Sequence, residues 1–540
     1  MTALRPLTTL AMVSALALGA CGTEPDADGP LVETLSGPLL GSTAAGVDSF
    51  LGIPYAAPPT DDLRWRAPQP VTAWSATRPA TGFGDDCQQT PFAQDAAPST
   101  APFSEDCLFV NVWRPADVEP GADLPVAVWI HGGGFVNGGS SPAIYSGESF
   151  ARNGVIYVSM NYRLGRFGFF AHPALTRENA DEGLLGNYGY LDQIAALNWV
   201  EANIAAFGGD PDNVTIFGES AGGASVQAML TSPLAQGLFD RAIIQSGGGR
   251  RTGFSDRRLQ DDAPGSPSLE SLGVAFAEAH GITGDGPAAL DALRALPASE
   301  IDGGLSMASM GQQGATYGGP SIDGRIVTAP LQDQYMSGQF AMVPLMIGAT
   351  SADLGFLPVA TKADAFNLFG DSADAARAAY DPDGVLPDAA VISAIGGDLF
   401  MVEPARFVAS RFNAAGNPVF HYRFSYVAEA LQDTFSGAPH ASEIPYTHNT
   451  LANRRDGETT TPGDQAVAEL THRYWLNFIR SGDPNSDDQT AWPLYSAVTE
   501  PLMDISASGE AVAGRDPWSD RLDMVCDAFA GTGCPEDDPE

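Results

Sequence analysis

The chain has 540 residues, and 44% of them are hydrophobic, which is sufficient for a substantial core. Its length favours two or more domains, although large α/β enzymes built on one extended sheet are an exception. The formal net charge is −39, which argues against a nucleic-acid partner because no basic patch is available to neutralise phosphates. Solubility is the simplest explanation of this charge, and steering of cationic substrates is the alternative.

The N-terminus has the features of an export signal. Arg5 precedes an apolar run over residues 7–18 that is too short to span a bilayer. The four residues that end at Cys21, Leu-Gly-Ala-Cys, resemble a bacterial lipobox, in which the cysteine is lipidated and becomes the mature N-terminus. We therefore predict a lipoprotein-type signal peptide over residues 1–20. Ordinary cleavage after Ala17 or Ala20, with release of a secreted or periplasmic enzyme, is the alternative.

A polar segment without periodicity follows the predicted lipid anchor, and we interpret residues 21–30 as a tether. No later stretch is apolar enough for a transmembrane helix. The predicted contact with a membrane is therefore limited to a lipid on Cys21.

Four cysteines remain after Cys21, an even number that suits an oxidising compartment. One pair brackets a loop rich in proline, alanine and serine, and the other brackets a short C-terminal loop: Cys87 and Cys107, then Cys526 and Cys534. Neighbour pairing is the simplest of the three connectivities. Metal binding is a weaker explanation because no histidine lies near either pair.

Strand and helix patterns alternate over much of the chain. Short apolar runs broken by proline and glycine predict antiparallel strands and loops from about residue 31 to 122. Further on, we predict strands at 124–130, 155–160, 214–217, 242–245, 344–348 and 419–424, and helices at 190–206, from 221, and at 466–479. This alternation indicates a largely parallel sheet covered on both faces. Residues 248–324 resemble a helical insertion that could roof a substrate pocket.

The segment G-E-S-A-G at 218–222 lies between a strand pattern and a helix pattern. That context is typical of a nucleophile elbow, which lifts a serine hydroxyl out of the main chain at the end of a strand. The glycines at 218 and 222 suit a strained turn in which strand and helix pass close together. We therefore predict that Ser220 is a nucleophile.

A serine nucleophile requires amide donors for the developing oxyanion, and a glycine-rich segment could provide them. The sequence His-Gly-Gly-Gly-Phe at 131–135 follows a strand upstream of the elbow, the position of an HGGG-type motif. We predict that the amides of Gly133, Gly134 and Ala221 form the oxyanion hole. A flexible glycine loop without a catalytic role is the alternative.

The nucleophile also requires a histidine base, and the order serine, acid, histidine leaves five candidates after Ser220. Three are better explained structurally, as a helix cap, a strand residue and a helix residue: His280, His421 and His472. His440 lies in a loop after a strand, where a catalytic base is expected. The pattern alone leaves His448 as an alternative.

Several motifs together identify a family resemblance. They are the elbow run at 207–222, the Glu-Asp-Cys-Leu-Phe-Val-Asn-Val-Trp-Arg-Pro run at 105–115, and shorter matches at 52–59, 161–164, 245–247 and 440–446. With these motifs the chain resembles the type-B carboxylesterases, the α/β-hydrolase family that includes para-nitrobenzyl esterases and the cholinesterases. The resemblance covers nearly the whole mature chain and implies one α/β-hydrolase domain over residues 31–535. The implied fold is a large, mostly parallel sheet with helices on both faces and a helical insertion over the active site.

The resemblance also implies roles for individual residues. His440 matches the family's catalytic histidine, and Cys87 and Cys107 match its N-terminal disulfide. Glu219 and Ser246 match polar residues that support the triad, although simple packing roles are an alternative.

The acid departs from the family pattern, which has Asp-Glu-Gly after a strand that ends in glycine. Counting from Gly348 places Asp353 at the position of the family's catalytic glutamate. Aspartate is one methylene shorter but can still accept a hydrogen bond from Nδ1 of an imidazole. Glu403 is the alternative acid.

The resemblance implies an exported serine hydrolase of small-molecule carboxylic esters that needs no metal or organic cofactor. A specialised esterase for toxin, pectin or polyester substrates is an alternative within enzymes. A non-catalytic, neuroligin-like binding protein is a weaker alternative because such relatives lack a complete nucleophile set. A cholinesterase role is disfavoured because the loop between Cys87 and Cys107 has no tryptophan or tyrosine to hold a quaternary ammonium.

Overall fold

The computed structural model of the chain describes residues 29–250, 256–454 and 459–534. The predicted signal peptide, Cys21 and most of the predicted tether lie outside the described residues. Within the described ranges, no helix combines the length and the apolarity that a membrane crossing requires.

An eleven-stranded sheet forms the centre of the fold. Its strands, numbered in chain order, are β1 (Ser42–Ala44), β2 (Val47–Pro54), β3 (Phe109–Pro115), β4 (Leu124–Ile130), β5 (Ile156–Met160), β6 (Gly209–Glu219), β7 (Arg241–Gln245), β8 (Leu345–Thr350), β9 (Val419–Phe424), β10 (Pro501–Ile505) and β11 (Ala511–Arg515). Their spatial order is β11-β10-β9-β8-β7-β6-β4-β5-β3-β2-β1. In this spatial order, the seven strands from β10 to β5, which include β4, pair in parallel. The antiparallel pairs lie at the two edges of the sheet.

The predicted α/β-hydrolase arrangement of a mostly parallel sheet is confirmed. Residues of β4 alternate between two hydrophobic clusters, with Val126 and Val128 in one and Ala127 and Trp129 in the other. Helices Tyr188–Asn203, Ala221–Thr231 and Glu403–Ala414 contribute to the first cluster, and helix Pro462–Ser481 contributes to the second. Because both faces of the sheet are covered, its central strands are continuous apolar runs.

The remaining elements are shorter. The other α-helices are Glu148–Arg152, Gly165–Gly168, Pro173–Glu178, Leu269–Ala279, Pro287–Arg294, Ala298–Asp302, Leu331–Met336, Lys362–Asn367, Ala373–Tyr380, Asp388–Gly397, Ile444–Thr447 and Ser519–Phe529, and a π-helical turn spans Asp398–Val402. The small sheets pair Leu31–Thr34 and Arg78–Pro79 with Gly37–Leu40, Phe169–Phe170 with Gly186–Asn187, and Asp86–Cys87 with Phe103–Ser104. The helical insertion predicted over residues 248–324 contains three of these helices.

The four cysteines form two disulfides, Cys87–Cys107 and Cys526–Cys534. This is the neighbour pairing, the simplest of the three connectivities. Two disulfides are typical of a protein that resides in an oxidising compartment outside the cytoplasm.

Candidate active site

The elbow at the end of β6 has the backbone conformation that an exposed nucleophile requires. Ser220 has φ of 58° and ψ of −122°, in a region that non-glycine residues rarely adopt. Such a conformation costs about 1–3 kcal/mol and persists only where the surroundings impose it. A Cβ on Gly222 would lie 2.0 Å from the carbonyl oxygen of Ile130, and a Cβ on Gly218 would lie 2.6 Å from the same atom. Both positions therefore require glycine.

The structure brings the three predicted triad residues together. Oγ of Ser220 lies 2.9 Å from Nε2 of His440, and Nδ1 of His440 lies 2.6 Å from Oδ1 of Asp353. These residues come from the ends of three different strands, at the edge of the sheet where the carboxyl ends of its parallel strands meet. The residue that was located by counting from Gly348 therefore contacts the predicted base.

The Asp353 carboxylate is buried and held from several sides. Oδ2 accepts hydrogen bonds from Oγ of Ser246 at 2.6 Å and from the Thr350 amide at 3.0 Å, and Oδ1 accepts one from the Leu354 amide at 2.7 Å. Burial raises the pKa of Asp353, but the charge of His440 and these hydrogen bonds outweigh it and hold the pKa below its usual value. Asp353 is therefore expected to stay ionised although it is buried.

The loop that carries the predicted oxyanion glycines contacts the elbow through Gly132. A Cβ on Gly132 would lie 3.2 Å from Cβ of Ser220, so this loop packs directly against the serine. Gly133 and Gly134 have φ of 103° and 62°, which favour glycine. Ala221 begins the helix after the elbow, where backbone N–H groups have no intrahelical acceptor. Gly133 and Gly134 follow Gly132 in this loop, and Ala221 follows Ser220, so the assignment of these three amides to the oxyanion hole stays a prediction.

The predicted insertion reaches this loop. Sδ of Met307 is 3.1 Å from the place that a Cβ on Gly134 would occupy, and Sδ of Met310 is 3.7 Å from it. The roof over the predicted oxyanion hole is therefore apolar on this side. The sequence did not single out either methionine.

Two further carboxylates surround the imidazole. Oε1 of Glu219 lies 3.2 Å from Nε2 of His440, and Glu443 accepts a hydrogen bond from Nε2 of Gln245 at 3.4 Å. Burial raises the pKa of Glu219 to about 8 and that of Glu443 to about 7. Glu219 was predicted to support the triad, whereas Glu443 was missed although it lies three residues after the predicted base.

Burial by itself lowers the pKa of His440, but the charges of Glu219 and Asp353 outweigh it and raise the pKa to about 10. The structure thus favours a proton on this imidazole. A base of this kind is strong once it is neutral, and an imidazolium that forms during a reaction is stabilised.

The alternative acid and two of the other candidate histidines make their contacts outside the triad. Glu403 forms a two-point ion pair with Arg250, at 2.6 and 2.7 Å. His448 is fully buried among aromatic rings, and burial lowers its pKa to about 3. His472 bonds Ser149 and a backbone carbonyl.

Two cavities flank the site. One has a volume of about 510 Å³ and is lined by Pro439 and Ala441, the neighbours of His440, together with Asp95. The other, of about 110 Å³, is lined by Ala224, which is one helical turn from Ser220, and by Phe135 next to the predicted oxyanion glycines. A substrate could therefore extend in two directions from the serine.

An elbow and its partners at the carboxyl edge of this sheet place the chain in the α/β-hydrolase class. Within that class, the chain belongs to the carboxylesterase family, whose sequence pattern matches residues 28–381 and 387–517.

Relatives of known activity support the same assignment. The chain is 35% identical to fumonisin B1 esterase of Sphingopyxis macrogoltabida, over 83% of this chain and 82% of that protein. It is 34% identical to para-nitrobenzyl esterase of Bacillus subtilis (strain 168), over 91% of this chain and 97% of that protein. A solved structure of a PNB esterase, 32% identical, superposes with a TM-score of 0.75 and covers 92% of this chain and 99% of that one. The chain is therefore a carboxylic ester hydrolase.

The carboxylate nearest to His440 predicts a specific pH effect. If His440 is the base, it must be neutral to accept a proton, so its pKa sets the acidic limb of the kcat/KM profile. The Glu219→Gln variant replaces a carboxyl group 3.2 Å from Nε2, whose ionised form raises the pKa of His440. We expect that limb to move to lower pH by about 1–3 units, because this is the usual effect of a close charge.

Glu443→Gln is the matched control, because the Glu443 charge raises the pKa of His440 less than the Glu219 charge does. We expect a smaller shift in the same direction for this variant. An acidic limb that stays in place in Glu219→Gln would contradict the prediction.

Proposed function

We propose that the protein hydrolyses carboxylic esters through an acyl-enzyme on Ser220, with His440 as base and Asp353 as the acid that orients it. The observation that carries this proposal is the continuous chain of hydrogen bonds from Oγ of Ser220 through His440 to Asp353, at 2.9 and 2.6 Å. The family membership supports the reaction class.

In the first half of the reaction, Nε2 of His440 takes the proton of Ser220 as Oγ attacks the ester carbonyl. The carbonyl oxygen becomes an oxyanion, which the amides of Gly133, Gly134 and Ala221 would stabilise. The imidazolium then gives its proton to the departing alcohol, and the acyl group remains on Oγ.

In the second half, His440 takes a proton from water, and the resulting hydroxide attacks the acyl carbon. Oγ leaves with the proton that the imidazolium returns, and the carboxylic acid is released. Asp353 stays ionised throughout and stabilises the imidazolium in both halves. Glu219 and Ser246 support the triad through their contacts with His440 and Asp353.

The acid assignment has the sharpest test. Asp353→Asn keeps the shape of the side chain, but its amide NH₂ would face Nδ1 and favour the wrong imidazole tautomer. The corresponding change in a chymotrypsin-type protease costs about 10⁴ in kcat. We therefore expect kcat for p-nitrophenyl acetate to fall by about 10²-fold or more, approaching the loss in Ser220→Ala.

Glu403→Gln tests the alternative acid. Its carboxylate pairs with Arg250, so this variant should lose thermal stability while its folded fraction keeps near-normal kcat. Normal turnover in Asp353→Asn with a collapse of kcat in Glu403→Gln would overturn the assignment. Active-site titration with an organophosphonate normalises both variants to the folded fraction, and labelling at a serine other than Ser220 would refute the nucleophile.

The small cavity near Ala224 gives information about which acyl groups the site accepts. Its walls are largely apolar, yet Oγ of Ser321 and Oε1 of Gln334 have no hydrogen-bond partner among the described residues. Nε2 of Gln334 donates to Oγ1 of Thr328 at 2.8 Å, which leaves Oε1 as the free end of the amide. Arg250 also lines the cavity, but Glu403 neutralises it.

We infer that this cavity takes the acyl chain and favours a chain that carries a hydroxyl or N–H group, because buried acceptors without donors are costly. An ω-hydroxyhexanoate ester and a heptanoate ester of p-nitrophenol have equal chain lengths and differ only in this group. Gln334→Leu should lower the kcat/KM ratio of the hydroxy ester to the plain ester by about fivefold to tenfold, the effect of one hydrogen bond.

Gln332→Leu is the control for this substitution, because Gln332 lies on the same helix but its side chain bonds Thr532, at 3.3 Å. Its ratio should equal that of the wild type. An unchanged ratio in Gln334→Leu would refute the polar acyl subsite without affecting the triad.

The larger cavity adjoins His440, which would protonate the departing alcohol, so we assign the alcohol to that side. Because one relative is a fumonisin B1 esterase, a specialised toxin-type ester is the alternative substrate. A series of p-nitrophenyl esters from acetate to palmitate would separate a general esterase from a specialised one.

We further propose that the protein is exported and anchored by a lipid on Cys21, as a lipoprotein of the bacterial cell envelope. The Leu-Gly-Ala-Cys sequence before the tether and the two disulfides support this proposal.

Expression with the leader should give a protein that partitions into detergent and carries acyl groups on Cys21, because a lipid adds a large apolar surface. Cys21→Ser should be soluble or uncleaved. A wild-type protein that is soluble and begins after Ala17 or Ala20 would contradict the anchor and leave the esterase mechanism intact.

A further inference from the structure

The side chain of Gln89 lies buried between the Cys87–Cys107 disulfide and the loop that carries the predicted oxyanion glycines. Its Nε2 donates to the carbonyl oxygen of Gly138 at 2.6 Å and to that of Cys87 at 2.9 Å. Its Oε1 accepts from the amide of Gly138 at 2.9 Å. One side-chain amide thus pairs with both backbone polar groups of Gly138, as a neighbouring strand would.

Gly138 lies against the first residues of the predicted oxyanion loop. A Cβ on Gly138 would be 2.4 Å from Nδ1 of His131 and 2.7 Å from the carbonyl oxygen of Gly132. With φ of 111° and no space for a side chain, position 138 requires glycine. Gly138 is therefore packed directly against the segment that starts the oxyanion loop.

Asn137 forms a second connection. Its backbone N–H donates to the carbonyl oxygen of Gly133 at 2.9 Å and closes the turn of the oxyanion loop. Its side-chain Nδ2 donates to the carbonyl oxygen of Thr90 at 2.7 Å and to Oε1 of Gln89 at 3.3 Å. Oδ1 of the same side chain accepts from the amide of Met307 at 2.9 Å, which holds the roof over Gly134.

We propose that Gln89 is a positioning residue for the oxyanion hole: through Gly138 and Asn137 it fixes where the amides of Gly133 and Gly134 lie relative to Ser220. This inference rests on the proposed function, because it assigns a support to the amides that stabilise the oxyanion. One oxyanion donor is worth about 10²–10³ in kcat, and its value depends on a donor distance of about 3 Å. Loss of the support should therefore lower kcat without changing ground-state binding.

The test compares two neighbouring glutamines with the same substitution. Gln89→Leu keeps the size of the side chain but removes all of its hydrogen bonds. Gln88→Leu is the control, because Gln88 donates a hydrogen bond from its backbone N–H to the Ser104 carbonyl oxygen, at 2.9 Å, and the substitution leaves this bond in place. Each protein is measured after titration of its active serine, so that only folded enzyme is counted.

In Gln89→Leu we expect kcat to fall by about 10- to 100-fold with KM within about twofold of the wild type, because donors that are misplaced by about 1 Å lose this much rate. An aryl trifluoromethyl ketone, which forms a hemiketal oxyanion on the serine, should bind more weakly by the same factor. A competitive aryl alcohol should bind as before. Gln88→Leu should match the wild type in all three measurements.

Gln89→Glu provides a second variant that keeps the acceptor for the Gly138 amide and loses the donor to its carbonyl oxygen. We expect ketone affinity to fall at least as far as in Gln89→Leu, because a carboxylate oxygen would face the carbonyl oxygens of Gly138 and Cys87. Equal ketone affinity in the wild type and either Gln89 variant would overturn the proposal, and so would a loss that Gln88→Leu shares. A wild-type protein that does not bind the ketone would instead contradict the proposed function.

Discussion

The buried Asp353 carboxylate is the interaction on which the geometry of the site depends. Its oxygens accept from Ser246, from the Thr350 and Leu354 amides, and from His440. A buried charge without these partners would cost several kcal/mol. The loops after three neighbouring strands, β7, β8 and β9, must therefore stay together for the carboxylate to stay charged. A parallel contact between Ala352 and Pro439 joins two of these loops beside the carboxylate.

The same negative charge shapes the chemistry of the base. Three carboxylates lie around one imidazole, and they favour a proton on it. That arrangement lowers the fraction of neutral base at every pH below the raised pKa, yet it stabilises the charge that the imidazole acquires when it accepts the serine proton. Burial raises the pKa values of Glu219 and Glu443 and so favours their uncharged forms. It therefore weakens the stabilisation that these two groups give to the imidazolium. The cluster therefore behaves as one titrating unit rather than as independent groups.

The parts of the site that were predicted from sequence are those encoded by local geometry. The elbow is recognisable because Gly218 and Gly222 are required by contacts within one strand–turn–helix unit. Asp353 was reached by counting along a single loop. Gln89 was missed because its partner Gly138 is 49 positions away in sequence. Glu443 lies three residues after His440, but the burial that raises its pKa depends on the tertiary fold and has no local sequence signal. Strand and helix boundaries shifted by a few residues, as when the helix predicted at 190–206 formed over Tyr188–Asn203, because terminal turns depend on tertiary packing.

The disulfide loop links the two sides of the site. Near Cys87 it carries Gln89, whose amide bonds leave little freedom at the oxyanion loop, and further on it carries Asp95, which lines the larger cavity beside His440. Both ends of the loop are held by backbone pairing of Asp86–Cys87 with Phe103–Ser104, and Ser141 holds the amides of Thr100 and Ala101, whereas Asp95 lines the cavity. A replacement of Asp95 would change the wall of this cavity and leave the bonds of Gln89 intact. On the proposed function, one covalently closed loop would thus support the oxyanion loop and also shape the side assigned to the alcohol.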